Sequence, residues 1–434
     1  MRLRQIRVDK LFGLFTHVIP LNLDDRITII HGPNGFGKTA ILRLVAGIFD
    51  RNYAALRSIP FQTLTLEFDD GVALRITPAQ RAERRPLLTF QYGNEPPATV
   101  GEQSVELARH FPIASLDDFI PELSRIGAER WMFIPTREVL MLDDIVERFG
   151  DRLPVQFPPM EEPEWLKALR RSLYVRFIES QRLAITAPSS SKHRRRQSVY
   201  SPAVLQYADD LAERINSTLA RYAELSQSLD RSFPRRLVTL SDVPRLSREE
   251  IKLRLSALEK RRTQLTEAGL LSKEEHGALT GPQEIDESKV EVLSVYISDT
   301  EQKLDVFNDL FKRIDLFRDL INRRFLFKTM IVDRKEGILF QTRDRTPLAA
   351  TSLSTGEQHE IVMLYELLFS VALNSLILID EPEISLHVAW QEEFLNDLAR
   401  ISTISKFDFV VATHSPQIIS TRWDLTVELK APSE

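Results

Sequence analysis

The sequence predicts an α/β fold: a mixed sheet flanked by helices, a small antiparallel β subdomain, and an inserted helical domain with a short hairpin. Three observations predict it. A glycine-rich loop, Gly32-Pro33-Asn34-Gly35-Phe36-Gly37-Lys38-Thr39, sits between an apolar run (Ile27 to Ile30) and an amphipathic one (Ala40 to Ala46). A second apolar run near the other end, Leu376-Ile377-Leu378-Ile379, closes on two carboxylates, Asp380-Glu381. Between them, helical spacing of apolar residues dominates from residue 202 to 324.

Composition narrows the class. Hydrophobic residues are 43% and charged residues 27% of a 434-residue chain, as in ordinary globular proteins of two or three domains. There is no cysteine, so disulfides, thiolate metal sites and cysteine nucleophiles are excluded, and a reducing, cytoplasmic setting is expected. The N-terminus, Met1 to Arg7, lacks a signal peptide's apolar core, and the longest apolar run, Ile361 to Leu373, is broken by Glu366. No membrane contact is therefore expected. A net charge of −5 gives no global field toward nucleic acid, so any such contact needs a local basic patch.

In order, Arg2 to Val8 alternates as a strand and Ile27 to His31 reads as a buried strand feeding the glycine loop. Strand, glycine loop and helix (about Thr39 to Gly47) are the context of a phosphate cradle. Glycines at 35 and 37 let backbone N–H groups, that of Asn34 included, converge on an anion; the helix N-terminus adds positive potential. Lys38 is placed for the β/γ-phosphates and Thr39 for Mg²⁺. Residues 61–76 alternate around Asp70-Gly71 as a hairpin, and Leu87 to Tyr92 adds a third strand. These make an N-terminal lobe of residues 1–100. Residues 101–245 read as a helical insertion with a Pro-rich connector (Pro154 to Pro163), a strand-like run (Tyr174 to Leu183) and a basic loop, Lys192 to Arg196. Such a loop is either a solvated surface or a contact for nucleic acid or an acidic partner.

Residues 246–325 carry heptad-like spacing. Ile251, Leu255, Leu258 and Leu265 are followed, after a polar break, by Leu293, Ile297, Thr300, Leu304, Phe307, Phe311 and Ile314. This suggests an antiparallel, coiled-coil-like helical hairpin, or an ordinary helical subdomain. A second arm from Lys289 to Arg324 would be roughly 50 Å long at 1.5 Å per residue. Residues 326–434 form the last lobe: a hairpin over 328–342, then Leu353-Ser354-Thr355-Gly356-Glu357-Gln358 opening a helix from Glu360 to Asn374. The Asp380 strand follows, and then Thr413-His414 after the apolar run Phe409 to Ala412. A buried parallel strand ending in Asp380 puts that acid at the carboxyl edge of the sheet, beside the glycine loop. Glu381 is placed to orient or deprotonate water, and His414 to hydrogen-bond a phosphate.

Together these motifs resemble an ABC-type P-loop ATPase: Walker A at 32–39, signature at 353–358, Walker B at 380–381 and a switch histidine at 414. The wording Asp-Glu-Pro-Glu-Ile-Ser-Leu-His (380–387) and Ala-Thr-His-Ser-Pro-Gln (412–417) is similar to the soluble SMC, RecF and OLD branch rather than to transporter subunits. The resemblance implies ATP and Mg²⁺ as cofactors. It implies Asn34, Gly35, Gly37, Lys38 and Thr39 on the phosphates, and Ser354, Gly356 and Glu357 presented to the nucleotide of a second copy. Thr39, Asp380 and a Q-loop residue, Gln181, would serve the metal; Glu381 and His414 would be catalytic. It also implies a homo-oligomer, a dimer or a larger ring.

The sequence runs 20 residues past His414, so no TOPRIM domain is expected after the ATPase. An ATPase of this length is similar to the ATPase subunits of two-gene anti-phage systems of the PARIS and Septu kind. That likeness implies a sensor or scaffold controlling a separately encoded TOPRIM or HNH nuclease, triggered by a phage protein or nucleic acid. The alternative is a RecF/SMC-like DNA-binding ATPase in repair or recombination, supported by the basic clusters at 81–85, 192–196 and 323–324.

Overall fold

The computed structural model describes residues 1–81, 84–100, 120, 122–127, 130–133, 138–141, 145, 149, 162–178, 203–239, 245–272, 285–384, 386 and 388–431. They fall into two compact units, Met1–Pro202 with Glu366–Glu434, and Ala203–Tyr365. The sequence-drawn boundaries at 245/246 and 325/326 lie inside the second unit.

The first unit opens with strands β1 (Leu3–Leu11) and β2 (Phe15–Pro20), a hairpin in which alternate residues are buried. The sequence gives no sign of β2, whose apolar face is short and carries a buried histidine, His17. Next come β3 (Ile27–His31), helix α1 (Lys38–Phe49) and α2 (Tyr53–Ser58). Strands β4 (Thr63–Phe68), β5 (Ala73–Arg81), β6 (Arg84–Tyr92) and β7 (Ala98–Val100) complete an antiparallel sheet in the order β2-β1-β4-β5-β6-β7. The expected hairpin at Asp70-Gly71 is its β4–β5 turn, with Leu66 opposite Leu74. Strands β8 (Leu123–Arg125), β9 (Arg130–Phe133) and β10 (Glu138–Met141) form a separate small sheet. Helix α3 (Glu164–Ser172) then leads into β11 (Val175–Ile178).

The second unit begins with the long helix α4 (Ala203–Thr239) and α5 (Arg248–Glu267), whose N-terminus is closed by a Ser247/Glu250 capping box. Helices α6 (Val290–Asp305) and α7 (Asn308–Arg324) replace the single 289–324 arm expected from the heptads. Between them Val306 (φ −54°) and Phe307 (φ −87°) stay near helical, and the Phe307 N–H turns to the Leu304 carbonyl at 3.1 Å. The result is a tight kink. Both α4 and α5 pack on α6: Tyr222 meets Phe307 (ring centroids 5.2 Å apart), and Ile251, Leu255, Leu258 and Leu265 are buried. The heptads thus fill a helical bundle rather than a two-helix arm. Strands β12 (Lys328–Asp333), β13 (Gly337–Thr342) and β14 (Pro347–Leu348) form an antiparallel sheet. Gly337 (φ +67°) is obligatory, since a Cβ there would lie 1.8 Å from the Ala208 carbonyl oxygen. Helix α8 (Thr355–Tyr365) ends this unit; the expected helix to Asn374 stops at Tyr365 and passes into a π-turn, Glu366–Ser370.

Back in the first unit, β15 (Leu376–Asp380) is followed by α9 (Val388–Gln391), α10 (Phe394–Ser405), β16 (Asp408–Ala412), α11 (Pro416–Ile419) and β17 (Thr426–Glu428). The central sheet runs β11-β15-β16-β3-β17, with every pairing parallel. Parallel and antiparallel pairing are both present, as expected, but in separate sheets. Both faces of such a sheet are covered, so β15 and β16 read as unbroken apolar runs and are buried along their full length. One core joins α1 (Ile41, Leu44, Val45, Ile48) to the inner faces of both large sheets.

Candidate functional site

Three adjacent parallel strands, β15, β16 and β3, deliver their carboxyl ends to one edge. That edge is where an open α/β sheet offers a crevice. β3 ends in the glycine loop, β15 in Asp380 and β16 in Thr413-His414.

The loop is shaped by Gly35 (φ +84°) and Gly37 (φ +90°), left-handed conformations that side-chain-bearing residues avoid. Space adds a second demand at Gly37, where a Cβ would stand 2.3 Å from Leu11 Cδ2; at Gly35 the surroundings are open. Gly37 is the N-cap of α1 and no side chain caps that terminus, which leaves the first-turn N–H groups directed at the loop. His17 Nε2 is 3.0 Å from the Phe36 carbonyl oxygen, and the Phe15 ring packs 5.1 Å from the Phe36 ring, so β2 braces the loop from beneath. The sequence reading missed His17, because nothing in a lone strand histidine announces its partner.

Lys38 is 4% exposed. Its Nζ donates to the Gly32 (2.8 Å) and Pro33 (3.1 Å) carbonyls and stands 3.4 Å from His414 Nδ1. Burial pushes its pKa below the ordinary value; the carboxylates of Glu381, Asp380 and Glu383 oppose that shift. The Thr39 hydroxyl donates to Asp380 Oδ1 at 3.0 Å. A hydroxyl and a carboxylate in contact beside a phosphate cradle are oxygen donors of the kind that would hold Mg²⁺. Among the described residues no group of three or more His, Cys, Asp or Glu side chains could hold a metal alone. The Thr39 hydroxyl and Asp380 carboxylate are a donor set that fits a metal shared with a nucleotide.

Glu381 follows with φ +43°, an uncommon conformation for a residue with a side chain. Its N–H donates to the Ala412 carbonyl at 2.8 Å, and its Oε1 lies 3.6 Å from His414 Nε2. Glu383, in the same run, accepts from the Thr413 hydroxyl and the His414 N–H, both at 2.8 Å, and so fixes the loop that carries the histidine. The sequence pattern contained Glu383 but gave it no task.

The 353–358 turn belongs to the second unit. Ser354 N–H and Oγ both donate to Glu357 Oε2 at 2.8 Å, and Lys328 Nζ reaches both Glu357 oxygens at 2.8 Å. Burial raises the Glu357 carboxyl, but Lys328 and Ser354 outweigh it and hold the group below the usual range. Gly356 lies in the first turn of α8. Gln181 and the basic loop 192–196 lie outside the described residues, as do the side chains of the 81–85 cluster. In the remaining basic cluster Arg323 pairs with Asp319 and Arg324 is buried against Glu360.

Glycine loop, hydroxyl–carboxylate pair and post-strand Glu and His, gathered on one edge of a parallel sheet, define a P-loop ATPase. Comparison with known proteins then places it. A family model described as "AAA domain, putative AbiEii toxin, Type IV TA system" matches residues 164–420, more than half of the chain, and the chain belongs to that family. The glycine loop lies N-terminal to the matched residues. No curated protein matches. Among solved structures, the SMC head domain from Thermotoga maritima is 13% identical over 100% of both chains, with a TM-score of 0.36. An Smc head with an extended coiled coil, bound to the C-terminal domain of ScpA and derived from Pyrococcus furiosus, is 10% identical over 99% of this chain and 94% of its own, with a TM-score of 0.32. Among the described residues no helix is long and apolar enough to cross a membrane.

Proposed function

We propose that this chain is an ATPase whose copies assemble around ATP, and that the assembled form acts as sensor and scaffold for a separately encoded effector nuclease in anti-phage defence. The observation that carries the ATPase reading is the 3.0 Å Thr39–Asp380 contact at the mouth of the glycine loop, with Glu381 and His414 beside it.

Bound ATP·Mg²⁺ would supply the phosphoanhydride to be broken and the charge that orders the loop. Asn34, Gly35 and Gly37 contribute backbone N–H donors, and Lys38 turns its ammonium from the Gly32 and Pro33 carbonyls to the β/γ-phosphates. Thr39 and Asp380 would hold the metal, with Gln181 assigned there by resemblance. Glu381 orients water and accepts its proton; His414, steadied by Glu383, hydrogen-bonds the terminal phosphate. Ser354 and Gly356 of a second copy would meet the terminal phosphate from the opposite side, with Glu357 holding Ser354 in its turn. The family description names a toxin of a type IV toxin–antitoxin system, which fits a chain that works against a separate partner.

The test is the native mass of the Glu381→Gln variant with and without ATP, alone and with the product of the neighbouring gene. A stable ATP-dependent oligomer that retains the partner is expected. An unchanged monomer would sink the assembly reading, and assembly without partner capture would sink the scaffold reading.

A further inference from the structure

Ser354 is assigned above to the terminal phosphate of another copy's nucleotide. Yet in this structure its hydroxyl proton already has a taker: Glu357 Oε2 accepts from both the N–H and the Oγ of Ser354. A hydroxyl has one proton to give, so Ser354 cannot serve the carboxylate and a phosphate oxygen at once. The carboxylate also puts a negative charge beside the place where an anion must arrive. What offsets it is Lys328, the first residue of β12, which contacts both Glu357 oxygens at 2.8 Å from 29 positions earlier in the chain. Phe327 takes a left-handed conformation (φ +67°) where the chain leaves α7, and so turns Lys328 into the strand that faces the 353–358 turn. On the other side, the Gln358 amide donates to the Leu353 carbonyl at 2.8 Å and holds the turn in place.

We infer that Lys328 is a positioning residue for ATP-driven assembly: its ammonium neutralises Glu357 so that the Ser354 hydroxyl can be released from the carboxylate to a phosphate oxygen of a second copy. This rests on the assembly reading given above. Glu357 is then an internal stand-in for the phosphate, and Lys328 sets how firmly it holds Ser354. Without Lys328, the full carboxylate charge would both retain the hydroxyl proton and repel the incoming phosphate.

The experiment measures the dimer dissociation constant by sedimentation velocity, in ATP and Mg²⁺, with every variant built on Glu381→Gln. Lys328→Met is expected to weaken assembly roughly tenfold or more, the worth of a hydrogen bond to a charged group. Lys328→Arg is expected to restore most of the loss. Adding Glu357→Gln to Lys328→Met is expected to recover affinity, because the charge that needed neutralising is gone. A structural role alone predicts the reverse, with the double variant weaker than either single one. Nucleotide affinity of the monomeric Lys328→Met chain, read with a fluorescent ATP analogue, is expected to match that of the parent, since the glycine loop is untouched. Failure of the Glu381→Gln parent to assemble would overturn the reading beneath; a parent that assembles while Lys328→Met assembles equally well would overturn this inference alone. Should Lys328→Met not fold, Glu357→Gln carries the test from the other side: assembly as tight as the parent's or tighter supports the role, and weaker assembly refutes it.

Discussion

At the scale of single residues, the site divides into groups that a motif announces and groups that only tertiary structure supplies. Lys38, Thr39, Asp380 and His414 were legible because the glycine loop and two apolar runs fix which strand end each occupies. His17, Glu383 and Lys328 were not. Each acts through a partner 19, 30 or 29 positions away, and pattern has no access to such pairings. Lys38→Ala is expected to reduce nucleotide affinity by roughly 10- to 100-fold, measured by calorimetry, because a charge-assisted contact is lost. The glycines allow a finer comparison. Gly35→Ala pays only for its left-handed backbone, about 1–2 kcal/mol, because its surroundings are open. Gly37→Ala meets the same backbone term and in addition drives into Leu11 Cδ2. Its melting temperature is therefore expected to fall below that of Gly35→Ala, and equal melting temperatures would show that the loop can shift to make room.

At the scale of elements, the period of apolar residues located the helices but not their interruptions. Leu304, Phe307 and Ile314 are buried on both sides of the kink at Val306, so a 4-3 spacing continues through it undisturbed. Likewise, Ile361 to Phe369 is buried throughout, Glu366 included, and a run buried on every side does not reveal where an α-helix yields to a π-turn. Helix α3 shows what pins an element in place. Arg170 Nε donates to the Ile48 carbonyl at the end of α1 (2.8 Å) and Nη1 to Glu162 Oε2 (2.6 Å), while the Tyr53 hydroxyl of α2 donates to Glu162 Oε1 (2.5 Å). Burial alone would raise the Glu162 carboxyl; its hydrogen bond and charge contact with Arg170 outweigh that and hold it below the ordinary 4.5. A carboxyl depressed on folding contributes its full stabilisation above the unfolded value and loses it as pH falls through the folded one. The melting temperature is thus expected to drop below about pH 4.5, and Glu162→Gln to flatten that drop while lowering stability at pH 7. A pH profile unchanged by the substitution would remove this network as the cause.

At the scale of the whole molecule, the α/β class and the antiparallel subdomain followed from motif order and alternation. The division into units did not, because the chain leaves the first unit at residue 202 and re-enters it at Glu366, inside the run from Ile361 to Phe369 that is buried throughout. The charge balance bears on the DNA-binding alternative. Net charge is −5, and both Arg323 and Arg324 are engaged by carboxylates. Duplex DNA is accordingly expected to bind weakly at 150 mM salt, and a steep salt dependence in filter binding would instead favour the repair reading.

The order of strands in the central sheet has a consequence for how the protein is made. β3 carries the glycine loop, yet both of its neighbours, β16 and β17, come from residues 408–428. The hairpins of β1, β2, β4, β5 and β6 pair with near neighbours in the chain and can close soon after they leave the ribosome. The loop's own strand must wait for almost the entire chain. During synthesis the nascent polypeptide therefore carries a finished antiparallel sheet next to an apolar strand with no partner on either side. Long-range parallel pairing of this kind is slow and exposed to aggregation. Competence to bind nucleotide arrives last, as a property only of a chain translated through its final strands.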